Sequence, residues 1–164
     1  MQNVSALDLV RLREVYGRFP SAVVAVGAWV DDRPKVLVAS TFTVGISLDP
    51  PLALFAMRKE STTWPHLRTA SRLGISLLSD AQDDLCSRLA ARTGEIEGTS
   101  YRTSEGGAIV FGGAAVTLDC SIHSETDAGD HTVVLVRIHA VEDSSDVEPL
   151  IFHRSRYRRL QHAV

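Results

Sequence analysis

Apolar and polar positions change their rhythm along this chain, and each rhythm names an element. Leu9, Leu12, Tyr16 and Phe19 recur at helical spacing behind Ser5, a residue suited to cap a helix, and Pro20 ends the run. This predicts a helix lying against the main sheet. Residues 22–30 are nearly all apolar, Asp31-Asp32-Arg33-Pro34 reads as a turn, and residues 35–44 are apolar again. That pattern predicts a hairpin of two well-buried strands. Residues 52–57 read as a third strand, residues 61–70 as a short helix and residues 73–78 as a fourth strand. Asp80 then opens a second helix that turns Leu85 and Leu89 inward. Between Thr93 and Gly107 four glycines are interspersed with Glu, Ser and Thr, which predicts a mobile loop with little to pack. Beyond it Val116, Leu118, Cys120 and Ile122 alternate with Thr117, Asp119, Ser121 and His123, the period of a strand with one wet face. Asp127-Ala128-Gly129-Asp130 is a turn signal and residues 131–141 are rich in β-branched side chains, so residues 114–141 form an antiparallel hairpin. Residues 150–153 add a last short strand. Many hairpin-linked strands and few helices favour a mainly β (α+β) chain, a closed antiparallel Greek-key-like barrel, over a doubly wound sheet.

Composition narrows the picture. The 164 residues suit one domain covering 1–164. Seventeen Lys and Arg against twenty Asp and Glu leave a net charge of −3, too little positive field for nucleic acid or an anionic membrane. No apolar run approaches the roughly 20 residues of a membrane span, and charged residues interrupt the first twenty, so a cytoplasmic location is expected. Cys86 and Cys120 lie far apart, outside any C-x-x-C or His/Cys cluster; buried thiols are expected, with no disulfide and no metal site. Neither a dinucleotide-binding G-x-G-x-x-G nor a P-loop is present.

Candidate chemistry concentrates in residues 38–65. Ser40 and Thr41, with the backbone N–H groups of Thr41 and Phe42, offer hydrogen-bond partners to the polar edge of a flat heteroaromatic ligand, and Phe42 can pack beside its ring. Ser47 and Asp49, ahead of Pro50-Pro51, form a turn that stops the strand. Ser61 and Thr62 at a helix start, preceded by Arg58 and Lys59, offer N–H groups and positive charge to a phosphate. Arg88, on the second helix, can reach the same phosphates. These are the two halves of a nucleotide-like cofactor.

In one order the chain carries Ser40-Thr41-Phe42-Thr43, Ser47-Leu48-Asp49-Pro50-Pro51, the Ser61-Thr62-Thr63 helix start, Gly129-Asp130-His131 and His153-Arg154-Ser155-Arg156-Tyr157. In that order they resemble the flavin reductase-like family, the reductase components of two-component flavin-dependent monooxygenases. The resemblance implies an FMN-binding split β-barrel, a homodimer, and reduction of FMN or FAD by NADH or NADPH, with reduced flavin passing to a partner monooxygenase. It also implies flavin phosphates at the Ser61-Thr62 turn. His131 is implied beside the nicotinamide, orienting its carboxamide or shielding the hydride-transfer zone. His153, Arg154 and Arg156 are implied at the dinucleotide's pyrophosphate or ribose, and Tyr157 stacked on a ring. Two positions depart from the family pattern: Val38 stands where Thr is frequent, and Ser155 where Gly is frequent. Two other readings compete. One is a pyridoxamine phosphate oxidase-like enzyme that keeps its flavin, which would want a richer basic cluster. The other is a non-enzymatic flavin- or haem-binding module.

Overall fold

A computed structural model describes residues 8–91 and 96–160. Helix α1 (Leu9–Tyr16) leads into β1 (Ser21–Ala22), β2 (Val24–Val30), β3 (Arg33–Ala39), β4 (Thr43–Leu48) and β5 (Pro51–Arg58). A single helical turn, α2 (Trp64–Leu67), precedes β6 (Leu73–Leu77), and α3 (Asp83–Ala90) precedes β7 (Tyr101–Thr103) and β8 (Ile109–Phe111). The long strands β9 (Val116–Ala128) and β10 (His131–Asp143) follow, then β11 (Ile151–His153) and β12 (Arg156–Arg158).

Seven strands form one antiparallel sheet in the order β3-β2-β6-β9-β10-β5-β4. Its ends are drawn together by Thr41, just past β3, whose hydroxyl donates to Ala56 O (3.1 Å) and accepts from Ala56 N (3.0 Å) on β5. The predicted antiparallel barrel is therefore present. Its interior is filled by alternate residues of the strands, among them Val24, Val26, Phe55, Ile75, Leu118 and Val134, and Trp64 of α2 sets its ring edge-on to Phe55 at 5.5 Å. A second core lies on the outer face of β2 and β6. There Val23, Ala25 and Leu78 meet Leu85, Cys86 and Leu89 of α3, Ile109 and Phe111 of β8, and Leu150. Strand β2 is apolar on both faces because it is covered on both. Gly74 allows this layering: a Cβ there would stand 2.0 Å from Ile109 O. The buried Ser76 hydroxyl accepts from Phe111 N at 2.9 Å and holds β8 in place.

Several expectations are corrected. The first helix begins at an Asp8 cap, whose side chain accepts from Arg11 N at 2.6 Å; Ser5 lies outside the described residues. That helix buries nothing: Leu9, Val10, Tyr16 and Phe19 are more than half exposed, since α3, β8 and β11 already occupy the outer core. The strand expected over 35–44 breaks after Ala39, where Thr41 turns to bridge Ala56. The helix expected over 61–70 shrinks to one turn. The second helix starts after Gln82 rather than at Asp80, whose backbone and side chain are taken by Glu148 O and Arg159. The stretch expected to be a mobile loop is mostly exposed where described but carries a strand and one buried anchor, and residues 93–95 lie outside the described residues. Ile96 is buried in the outer core, and Tyr101–Thr103 pairs with Ile109–Phe111. Its Ser and Thr serve turns, as Ser104 Oγ does in accepting from Ala108 N, so polar composition did not mean absence of regular structure. Strand β12, which pairs with β11 across a turn with positive φ at Arg154 and Ser155, was not expected at all.

Candidate active site

The main cleft, about 430 Å³, runs along the outer edge of β3. That strand pairs only with β2, so its free edge presents unpaired N–H and C=O groups in a row. Consecutive residues Val36 to Thr41 line the cleft because it follows an edge rather than a face. One wall is the end of β5 with the turn after it, Arg58 and Glu60 to Thr63, together with His131. The other is α3, through Cys86, Leu89 and Ala90, and the β11–β12 hairpin, through Phe152 and Tyr157.

Of the residues singled out by sequence, Ser40, Thr41, Arg58, Ser61, Thr62, His131 and Tyr157 come together here. The Thr41 hydroxyl is engaged with Ala56, which leaves its backbone as the group facing a ligand. Ser61 Oγ accepts from Trp64 N at 3.1 Å and keeps its own proton to donate. With α2 only one turn long, little helix dipole adds to these hydroxyls, and Arg58 becomes the principal positive charge of this wall. Lys59 points elsewhere, to Asp127 at 3.3 Å.

His131 opens β10 directly opposite Arg58, and its Nδ1 lies 2.7 Å from Asp130 Oδ1. This hydrogen bond, ahead of the imidazole and Arg58 charges, holds the Asp130 carboxyl below the usual carboxylate range. It also selects the tautomer with a proton on Nδ1, leaving Nε2 for a ligand. Tyr157 packs its ring at a 59° tilt against Phe152 (5.8 Å between centroids) and donates to Cys86 Sγ at 3.1 Å. Burial pushes the Tyr157 hydroxyl up, helped by Cys86, and burial also pushes the Cys86 thiol up, although Tyr157 partly opposes it. Both cysteines are free and buried.

The remaining predicted residues do not line the cleft. Phe42 packs against the barrel core. Ser47 and Asp49 sit at the far end of β4, where Asp49 precedes Pro50. Arg88 lies on the exposed side of α3 and reaches Glu97 O at 3.4 Å. His153, Arg154 and Arg156 miss the cleft because β11 and β12 alternate. Phe152 and Tyr157 are register partners facing it, whereas His153 pairs with Arg156 on the other face and Arg154 joins Gly17 O at the end of α1. Sequence reasoning missed the β3 edge, Glu60, Thr63, Leu89 and Phe152. Of these only Leu89 carried a signal, turned inward with Leu85 on the second helix, and it read as plain core.

Size and lining suit a flavin: the cleft falls within the range of small-molecule sites, with an apolar floor and a few polar groups at one end. Comparison with known proteins points the same way. Residues 16–161 match the model of the flavin reductase like domain. A flavin reductase of Pseudomonas putida is 34% identical over 155 residues, covering 93% of this chain and 91% of that protein. The reductase subunit HsaB of a flavin-dependent monooxygenase from Rhodococcus jostii (strain RHA1) is 29% identical over 157 residues, covering 95% and 80%. Among solved structures, the Streptomyces globisporus NADH:FAD oxidoreductase SgcE6 in complex with NAD and FAD fragments superposes with a TM-score of 0.90 at 28% identity, covering 98% of each chain.

Proposed function

This chain belongs to the flavin reductase-like family, and on that premise we propose that it oxidises NADH to reduce FAD or FMN and releases the reduced flavin to a separate monooxygenase component. The observation that carries this reading is the cleft, which sets an edge of free backbone groups, a hydroxyl-bearing turn with Arg58, and His131 around one space. The isoalloxazine lies along Ser40, Thr41 and the β3 edge, and the flavin phosphate meets Arg58, Ser61 and Thr62. When both nucleotides are bound, a hydride passes from nicotinamide C4 to flavin N5, and a solvent proton completes the reduced flavin. The protein's part is orientation: His131 Nε2 holds the carboxamide, and the Phe152–Tyr157 wall keeps water from one side. His153, Arg154, Arg156 and Arg88, which lie off the cleft, contribute to capture of the dinucleotide's outer half only if it extends over the surface.

The protein acts as a homodimer. Strand β4 is a sheet edge with Val44, Ile46 and Leu48 exposed, and α1 leaves Leu9, Val10 and Tyr16 uncovered, the kind of apolar surface an interface removes from water. Among the described residues no helix is long and apolar enough to cross a membrane.

The test is anaerobic oxidation of NADH, followed at its near-ultraviolet absorbance, with FMN and FAD each varied. Saturable turnover that depends on added flavin supports a diffusible-flavin reductase. Stoichiometric flavin binding without turnover would favour the tightly bound oxidase or the binding module.

A further inference from the structure

The hydroxyl-bearing turn that borders the cleft leads straight into α2, a single helical turn too short to hold itself together, so partners elsewhere in the fold must fix it. Glu125 of β9 meets two of its side chains at once. Its Oε1 accepts from the Trp64 indole Nε1 at 2.9 Å, and its Oε2 accepts from Arg68, one turn further along. The Arg68 side chain is more than half exposed, so that ion pair is screened by water and contributes little. The Trp64 bond is of another kind. Trp64 is buried; its packing beside Phe55 fixes where the ring lies, and the directional hydrogen bond to the indole fixes how it is turned. The backbone N–H of the same residue donates to Ser61 Oγ at 3.1 Å, so a shift of Trp64 is passed to the Ser61 hydroxyl.

From this chain of contacts we propose that Glu125 is a positioning residue for the flavin phosphate, setting the turn at Ser61 and Thr62 through the Trp64 indole. The proposal rests on the placement of that phosphate at this turn. Neither Glu125 nor Trp64 lines the cleft, so neither side chain touches the ligand. Ser40, Thr41 and the β3 edge, where the isoalloxazine lies, belong to other elements and take no part in the chain of contacts. Loss of the indole bond therefore weakens the grip on the phosphate and spares the ring. The carboxylate's charge alone would act in the opposite sense, because a negative charge near a phosphate repels it.

The experiment compares the unsubstituted protein with Glu125→Gln and Glu125→Leu, reading affinities for riboflavin, FMN and FAD from quenching of flavin fluorescence without nicotinamide nucleotide. Both substitutions remove the same charge and the same ion pair with Arg68; only glutamine keeps an oxygen for the indole. The expected result is a loss of about fivefold for FMN and FAD in Glu125→Leu, as one hydrogen bond implies, less than about twofold in Glu125→Gln, and no change for riboflavin in either. Trp64→Phe, which removes the indole N–H and keeps Glu125, should reproduce the loss seen in Glu125→Leu. Equal affinities in the two Glu125 variants, a gain for FMN in both, a parallel fall for riboflavin, or unchanged FMN affinity in Trp64→Phe would overturn the role of Glu125 and leave the reductase reading intact. A phosphate-specific loss that glutamine rescues, in a protein that does not oxidise NADH with added flavin, would do the reverse. Unsubstituted protein that binds FMN no tighter than riboflavin would take the phosphate from the turn and overturn the proposal, while flavin-dependent NADH oxidation would still stand. If none of the three flavins quenches, both fall.

Discussion

Two segments border the cleft, the turn from Arg58 to Thr63 and the hairpin from Ile151 to Arg158, and they deliver their residues differently. In the turn, irregular backbone crosses the end of the cleft, and five of the six residues line it. In the hairpin only Phe152 and Tyr157 do so, because strands send neighbours to opposite faces. A basic run on a strand therefore reaches a ligand through alternate residues at most. Ser155 adds a local reason why the hairpin resists reading: its φ of 58° is left-handed, a conformation that favours glycine, which is frequent at this position in the family the chain resembles.

The contrast can be broken most strongly at Tyr157. Tyr157→Ala removes a ring packed on Phe152 and a bond to Cys86, and should lower stability by about 2 kcal/mol in denaturant unfolding, whereas Arg156→Ala should change it by less than about 0.5 kcal/mol. Equal effects would mean that alternation does not divide the hairpin. In the turn, Arg58→Ala should weaken flavin binding about tenfold and Lys59→Ala less than about twofold, read by fluorescence quenching. A larger effect from Lys59 would place the phosphate outside the cleft. His131→Ala should raise KM for NADH about fivefold, as loss of one hydrogen bond implies, with flavin affinity nearly unchanged. A weakened flavin affinity instead would put His131 on the flavin.

The smallest effect concerns Cys86. The thiolate is the form that alkylates, and burial raises this thiol above its ordinary 9.0, so iodoacetamide labelling should still be climbing with pH beyond 9. Tyr157→Phe removes the hydrogen bond that favours the thiolate and should slow labelling a further twofold or so at a given pH. Cys120, pushed up to about 12 chiefly by burial, should stay unlabelled while the protein is folded. Its linkage runs one way: the folded state keeps the thiol neutral, so stability is full below pH 9 and declines between pH 9 and about 12 as the unfolded thiol ionises.

Much of the barrel was legible in the residues. The 22–30 run, the 35–44 run as far as Ala39, and the alternation from Val116 onward became paired strands, the first two joined by the Asp31-Asp32 turn with both φ positive, because burial pattern and turn chemistry agree locally. The cleft was legible where chemistry and chain direction coincide, at Ser40, Thr41, Arg58 and His131. It was illegible where a neighbour decides. Residues 61–70 have a helical pattern, yet Trp64 is drawn into the barrel beside Phe55, and one turn is all that remains. Residues 93–107 are polar enough to read as a loop, yet Tyr101–Thr103 within them pairs with β8, which Gly74 and Ser76 on β6 seat.

By itself the sequence determined the hairpins, the barrel class, the absence of a phosphate-binding glycine loop and the polar groups available to a flavin, since these depend on local periodicity and residue type. Only the tertiary structure decided that β3 is an edge, that Lys59 turns to Asp127 while Glu60 faces the cleft, and that α3 and the terminal hairpin close its far wall. Those outcomes depend on which segments, distant in the chain, compete for the same space and charge.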